Sequence, residues 1–182
     1  MEDAARTVLT LVREHPGRVD GIKVSLLDED FEVWLRRELP PGVRLYTGDD
    51  FNYPNLIRGD AEGYSDALLG IFAAIAPAAG TALRALDDGD LATYESVLAP
   101  TVPLSRHIFA TPTYYYKTGI VFLSWLAGHQ NHFTMVAGLQ SARSPRHSAT
   151  LLRLADAAGL LPDADLAAAR ARSFLSVSGV DQ

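Results

Sequence analysis

The sequence contains no cysteine. This excludes disulfides, thiolate-bound metals and a cysteine nucleophile, and it fits a reducing, cytoplasmic setting. Basic side chains are scarce: 16 Lys and Arg stand against 22 Asp and Glu, a formal charge of −6 over 182 residues. Nucleic acid and anionic membrane both call for a concentrated basic surface, so neither is an expected partner. Long apolar runs are missing too. The most hydrophobic stretch, 67–83, is mostly alanine and glycine and is interrupted by Pro77. It falls short of the roughly 20 strongly apolar residues that span a bilayer. Residues 1–18 are charged and amphipathic, without the apolar centre of a secretion signal. There is no phosphate-binding glycine loop, dinucleotide fingerprint or nucleophile elbow, so Ser25, Ser65 and Ser105 are not expected nucleophiles. Neither a cofactor nor a bound metal is expected.

What is present is an ordinary globular balance, 48% hydrophobic and 21% charged, with length for a sizeable core. Residues 4–14 repeat apolar side chains at helical spacing (Val8, Leu9, Leu11, Val12) until Pro16-Gly17. Residues 19–27 are short, apolar and β-branched, and read as a strand. A helix over 31–38, capped by Asp28 or Asp30, ends at Pro40-Pro41-Gly42. A second strand follows at 43–47, then a short helix at 53–57 opened by Asn52, then a third strand within 67–72. From Pro77 onward helices are expected at 78–86, 90–98, 103–109, 116–127, 145–158 and 163–177.

Helix and strand therefore alternate before a helical block, the pattern of parallel strands joined by right-handed crossovers. Three parallel strands leave two open edges, and a closed eight-stranded barrel needs about 250 residues. The expected fold is α/β: the C-terminal part of a TIM (β/α)8 barrel, its last three βα units in 1–86, with a helical extension packed on it in 87–182.

One of only two lysines, Lys23, lies inside the first strand; the other is Lys117. If Ile22, Val24 and Leu26 face the helices, Lys23 and Ser25 face the barrel interior. Burial would lower the pKa of such an amine and leave more of it neutral and nucleophilic, able to form a Schiff base with a carbonyl. The alternative is that Lys23 reaches the strand end or pairs with Asp20 or Asp49. For Asp49 and Asp50 the alternative is a helix cap in an ordinary βα loop.

Several motifs then occur in one order: Val19-Asp-Gly-Ile-Lys-Val-Ser-Leu-Leu-Asp28, Tyr46-Thr-Gly-Asp-Asp-Phe-Asn-Tyr-Pro54, 67–77 ending in Ala-Pro, Gly89-Asp-Leu91, Ala99-Pro-Thr-Val-Pro-Leu-Ser-Arg-His107, and 108–117 with its proline followed by Lys117. Together they resemble the dihydrodipicolinate synthase and N-acetylneuraminate lyase superfamily, and more narrowly a branch known only as dihydrodipicolinate-synthase-like. The resemblance implies that Lys23 forms an imine with a 2-oxo acid such as pyruvate. It also implies that Gly48, Asp49 and Asp50, with Ser25, contact substrate, and that a carbon–carbon bond is made or broken beside the imine. Gly70 and Ala74 depart from the serine and asparagine usual there. The carboxylate-binding Thr-Thr or Ser-Thr motif and the proton-relaying tyrosine come from earlier strands that are not in this chain, and Tyr46, Tyr53 and Tyr64 do not match that tyrosine.

The expected function is thus a Schiff-base lyase or aldolase in truncated or split form, with a 2-oxo acid or aldehyde as substrate and a homo-oligomer or a complementary barrel half as partner. The alternative is a non-catalytic barrel subunit acting in assembly. His129 and His132, three apart, could share a helix face and hold a metal with a carboxylate, but a polar loop or cap is the expected role. His107 beside Arg106 is expected at a surface or interface, and Tyr114, Tyr115 and Tyr116 against the barrel bottom or an oligomer contact.

Overall fold

The computed structural model describes residues 2–180, apart from the side chain of Glu2. Two compact units divide the chain at 70/71. The helix over 72–87 falls in the second of these units.

The first unit opens with α1 (Glu2–Glu14), which buries Ala5, Leu9 and Val12, spaced four and three residues apart along one face. It continues through β1 (Gly21–Val24), α2 (Glu29–Glu38), β2 (Arg44–Thr47), α3 (Tyr53–Arg58) and β3 (Asp66–Ala67). The strands form one parallel sheet in the order β1-β2-β3. The α/β alternation is as expected, but the strands are shorter. The third ends at Ala67 because the chain turns away after the Leu68 N–H bonds the Thr47 carbonyl (3.1 Å).

Asp28 starts α2 by accepting the Phe31 N–H at 3.0 Å. Glu29, Asp30 and Glu32 in its first turn and Arg36 and Arg37 in its last complement the helix dipole. Between α1, α2 and one sheet face lies a core of Ala5, Leu9, Val24, Leu35 and Leu45, with Phe31 and Leu39 packed against it.

The second unit is helical: α4 (Phe72–Asp87), α5 (Leu91–Leu98), α6 (Thr101–Ile108), α7 (Tyr116–Leu126), α8 (Pro145–Ala157) and α9 (Ala164–Val177), with 3-10 turns at Thr113–Tyr115 and Val136–Ser141. α4 starts six residues before its expected position. Ile75 breaks its helical geometry (φ −119°, ψ 23°), so Pro77 falls in the first turn of the segment beyond the break, where its missing N–H costs little. Asp90, Ser144 and Asp163 cap α5, α8 and α9. Where α7 passes α6 and α8, a Cβ on Gly119 would sit 3.1 Å from Leu151 and 3.2 Å from Ile108.

Candidate functional site around Lys23

The sheet has two chemically different faces. Ile22, Val24, Leu45 and Thr47 lie on one; Gly21, Lys23, Ser25, Arg44, Tyr46 and Gly48 lie on the other. Val24 and Leu45 join the helix-covered core, so the second face is the one that carries Lys23.

Register decides what meets what on that face. Lys23 pairs with Tyr46, and Gly21 with Arg44. Each large side chain then lies across a glycine on the neighbouring strand. A Cβ on Gly21 would fall 2.7 Å from the Tyr46 ring and 2.6 Å from the Arg44 carbonyl oxygen. A Cβ on Gly48 would fall 2.6 Å from Lys23 Cε, 2.1 Å from Ser25 Oγ and 2.8 Å from the Val24 carbonyl oxygen. The Gly48 N–H holds that carbonyl at 2.6 Å. Lys23 and Ser25 therefore converge over Gly48 at the carboxyl ends of β1 and β2.

The amine is not buried, as the sequence reading required: Lys23 and Ser25 are both exposed. β1 is also an edge strand of this sheet. The Asp20 and Val24 carbonyls accept from Arg44 N (2.9 Å) and Gly48 N (2.6 Å). Even-numbered peptide groups of β1 thus face β2, and those of Gly21, Lys23 and Ser25 face an edge that no strand among the described residues covers. Lys23 makes no ion pair with Asp20 or Asp49 among the described residues. Asp20 instead accepts the Tyr46 hydroxyl proton. That bond, ahead of burial, raises the Tyr46 pKa and keeps the phenol protonated.

Asp49 is fully buried and its carboxylate organises the loop. Oδ1 accepts from the N–H groups of Phe51 (2.7 Å) and Asn52 (2.9 Å), and Oδ2 from Asn52 Nδ2 (2.8 Å). Asn52 occupies the N-cap position of α3 but makes no side-chain cap bond; Asp49 fixes the turn that leads into the helix. Asp50 is buried next to it, 6% exposed.

Beneath this turn is a residue that pattern reading missed. Glu32 of α2 is 1% exposed. Thr47 Oγ1 donates to its Oε2 (3.0 Å) and accepts the Asp49 N–H (3.1 Å). Ser65 lies beside the carboxyl and favours its charged form, but neither Ser65 Oγ nor Glu32 Oε1 has a well-formed hydrogen bond. Burial dominates and pushes the Glu32 pKa up to about 7. The Asp49 charge adds to the rise, and Ser65, Thr47 and Arg36 oppose it. The signal was available: Glu32 precedes Leu35 and Leu39 by three and seven residues, which puts it on the apolar stripe of α2.

Other candidates lie elsewhere. His129 and His132 sit in the loop after α7, where His132 Nδ1 accepts the Thr134 N–H (3.3 Å). No group of three metal-holding side chains occurs among the described residues. Tyr116 stacks on Phe109 with centroids 4.6 Å apart, whereas Tyr114 is 72% exposed. One cavity, about 510 Å³, opens between α1 and α2 at Arg6, Leu9, Phe31 and Trp34. Another, about 550 Å³, lies in the helical unit near Thr81, Ser124 and His129. Neither includes Lys23. No helix among the described residues is long and apolar enough to cross a membrane.

His107 and His147 stack with centroids 3.9 Å apart and planes 18° from parallel. The His147 carbonyl accepts from His107 Nε2 (2.9 Å), which therefore carries the proton. Burial first, then His107 and Arg143, pull the His147 pKa down to about 4. The unfolded chain binds this proton near 6.5 and the folded chain only near 4. Stability is therefore expected to fall as pH drops through that window, and less so in His147→Phe. Thermal melts of the two proteins across the window check this.

The fold and site define an α/β protein with a three-stranded parallel sheet, one face of which presents a lysine beside a glycine-floored turn. The chain belongs to the family described as protein of unknown function (DUF993), whose model matches residues 1–180. No curated protein matches the chain significantly.

Proposed function

We propose that this chain carries the imine-forming lysine of a Schiff-base lyase or aldolase acting on a 2-oxo acid. The observation that carries the reading is the position of Lys23. It lies across Gly48, beside Ser25, at the carboxyl ends of adjacent parallel strands, where α/β folds assemble their ligand sites. In the reaction the neutral amine attacks the 2-oxo carbon. A carbon–nitrogen bond forms, water leaves, and the protonated imine draws electrons from the neighbouring carbon as a carbon–carbon bond breaks or a proton is lost. Hydrolysis returns the amine. Ser25 and Asp50 are proposed to contact the substrate, with Gly48 leaving room for the lysine stem. Asp49 acts by holding the loop.

We read the sheet as the last three units of an eight-stranded barrel. The diagonal pairs, Tyr46 over Gly21 and Lys23 over Gly48, interdigitate large with small as barrel interiors do. The uncovered edge of β1 supports a second component of the reading: the active form is an assembly in which further parallel strands pair with β1 and close the Lys23 face off from water. A subunit acting in assembly alone is the alternative this same edge favours. It predicts that Lys23→Ala leaves the oligomer and its activity-independent contacts unchanged and that no chemistry occurs at Lys23.

The test is incorporation of solvent deuterium at the carbon next to the carbonyl of a 2-oxo acid, followed by proton NMR. The wild-type protein is expected to catalyse it, Lys117→Arg to match wild type, and Lys23→Arg to lose about 100-fold or more, a loss on the scale of removing a key catalytic group. Equal rates in wild type and Lys23→Arg, or none above buffer, contradict the reading.

A further inference from the structure

The buried Glu32 carboxyl of α2 is bonded to β2 through Thr47 and lies beside Ser65 on the approach to β3. Thr47 Oγ1 has a single proton. In the structure that proton goes to Glu32 Oε2, which leaves a lone pair for the Asp49 N–H. The three groups form a polarised line running from the Asp49 amide to the carboxylate, and such lines strengthen or weaken together. Gly48, the residue between Thr47 and Asp49, is the floor under Lys23 and Ser25.

We propose that Glu32 is a positioning residue for the Lys23 site: the charge on its carboxyl, relayed by Thr47, sets how the Gly48–Asp49 turn is held beneath Lys23 and Ser25. Its catalytic relevance rests on Lys23 as the reacting amine; the response of the turn does not.

As a carboxylate, Glu32 pulls on the Thr47 proton and so strengthens the bond that anchors Asp49. As a neutral acid it pulls less and carries a proton of its own to give. Glu32 Oε1 and Ser65 Oγ, both buried without a well-formed bond, then have a second way to pair, with the acid donating to serine instead of the reverse. The charged groups facing Glu32 are Arg36, one turn along α2, and Asp49 from the β2–α3 loop. Arg36 favours the carboxylate and Asp49 opposes it. Arg36 is no rigid counter-ion, because its Nη2 is given to Asp60 Oδ2 at 2.8 Å while its Nε and Nη1 are buried without a partner. Burial places the midpoint near 7, so both forms of the site are populated at neutral pH.

The experiment is an amide NMR titration of the full chain from about pH 5 to about pH 9, with deuterium exchange into the 2-oxo acid measured over the same range. The Gly48 and Asp49 amides are expected to shift with a midpoint near 7 in wild type and to stay flat in Glu32→Gln. In Thr47→Val the Ser65 amide should keep the titration while Asp49 loses it, which keeps the test available if the glutamine variant does not fold. The exchange rate should show a limb near pH 7 that Glu32→Gln removes. Flat Gly48 and Asp49 amides in wild type, a titration surviving in Glu32→Gln, or an exchange limb unchanged in that variant overturns the proposal. Absence of exchange altogether counts against imine chemistry at Lys23, while the amides still report on the turn.

Discussion

Raising the pH from about 4.5 to about 8 is expected to cost the wild-type protein about 3 kcal/mol of stability that a Glu32→Gln variant keeps. The sign follows from which state holds the proton. Between 4.5, the ordinary value, and about 7, the folded protein binds a proton at Glu32 that the unfolded chain has released. Stability therefore falls as pH rises through this window and levels off above it. The magnitude is the distance between those two values at about 1.4 kcal/mol per pH unit. The structural cause is a buried glutamate, 1% exposed, whose carboxyl accepts from Thr47 and leaves Oε1 without a well-formed bond among the described residues. Glutamine removes the ionisation and keeps an oxygen for Thr47. His147 acts in the opposite direction over an overlapping window. The effect is thus read as the difference between Glu32→Gln and its parent at each pH, from denaturant midpoints. A difference that does not change with pH would mean that Glu32 is not held neutral by the fold.

Gly48→Ala is expected to destabilise the first unit by about 1–3 kcal/mol, the usual cost of overpacking, and to abolish the imine chemistry proposed for Lys23. Backbone strain is not the cause, since Gly48 is absent from the glycines with positive φ. The obstacle is space. The added methyl would meet Lys23 Cε, Ser25 Oγ and the Val24 carbonyl, all under 3 Å. The lysine stem and the serine can swing aside. The carbonyl cannot, because it accepts the Gly48 N–H at 2.6 Å and so ties β1 to β2. Adding Ser25→Gly relieves the shortest contact only, so the double variant should regain part of the stability and none of the chemistry. Chemical denaturation and the deuterium-exchange assay check both halves. A Gly48→Ala protein with wild-type stability and exchange would show that Lys23 does not lie over this turn.

Most of the element order could be read from local chemistry. Asp28, Asp90 and Asp163 cap where acidic residues precede helical periodicity, and the β-branched run around Ile22 and Val24 forms a strand. The placement of Lys23 and Ser25 on the face opposite Val24 follows from strand alternation alone. What could not be read depends on contacts between segments. Asn52 stands at the N-cap of α3, yet its side-chain amide donates to Asp49, which is anchored through its own N–H to Thr47. Glu32 looks like one of three acids complementing a helix N-terminus; its spacing to Leu35 and Leu39 marks it as inward-facing, but only the packing of α2 on β2 shows that Thr47 meets it. The exposure of Lys23 depends on what lies over its face of the sheet, a property of tertiary structure that residue pattern does not carry.

The central claim is that Lys23 forms a covalent imine with a 2-oxo acid. Borohydride reduction in the presence of such an acid, followed by proteolysis and peptide mass spectrometry, tests it most directly, and the chain supplies its own control in Lys117. One reduced adduct is expected on the peptide containing Lys23 and none on the peptide containing Lys117. Unmodified peptides across a panel of 2-oxo acids, or equal modification of the two lysines, would contradict it.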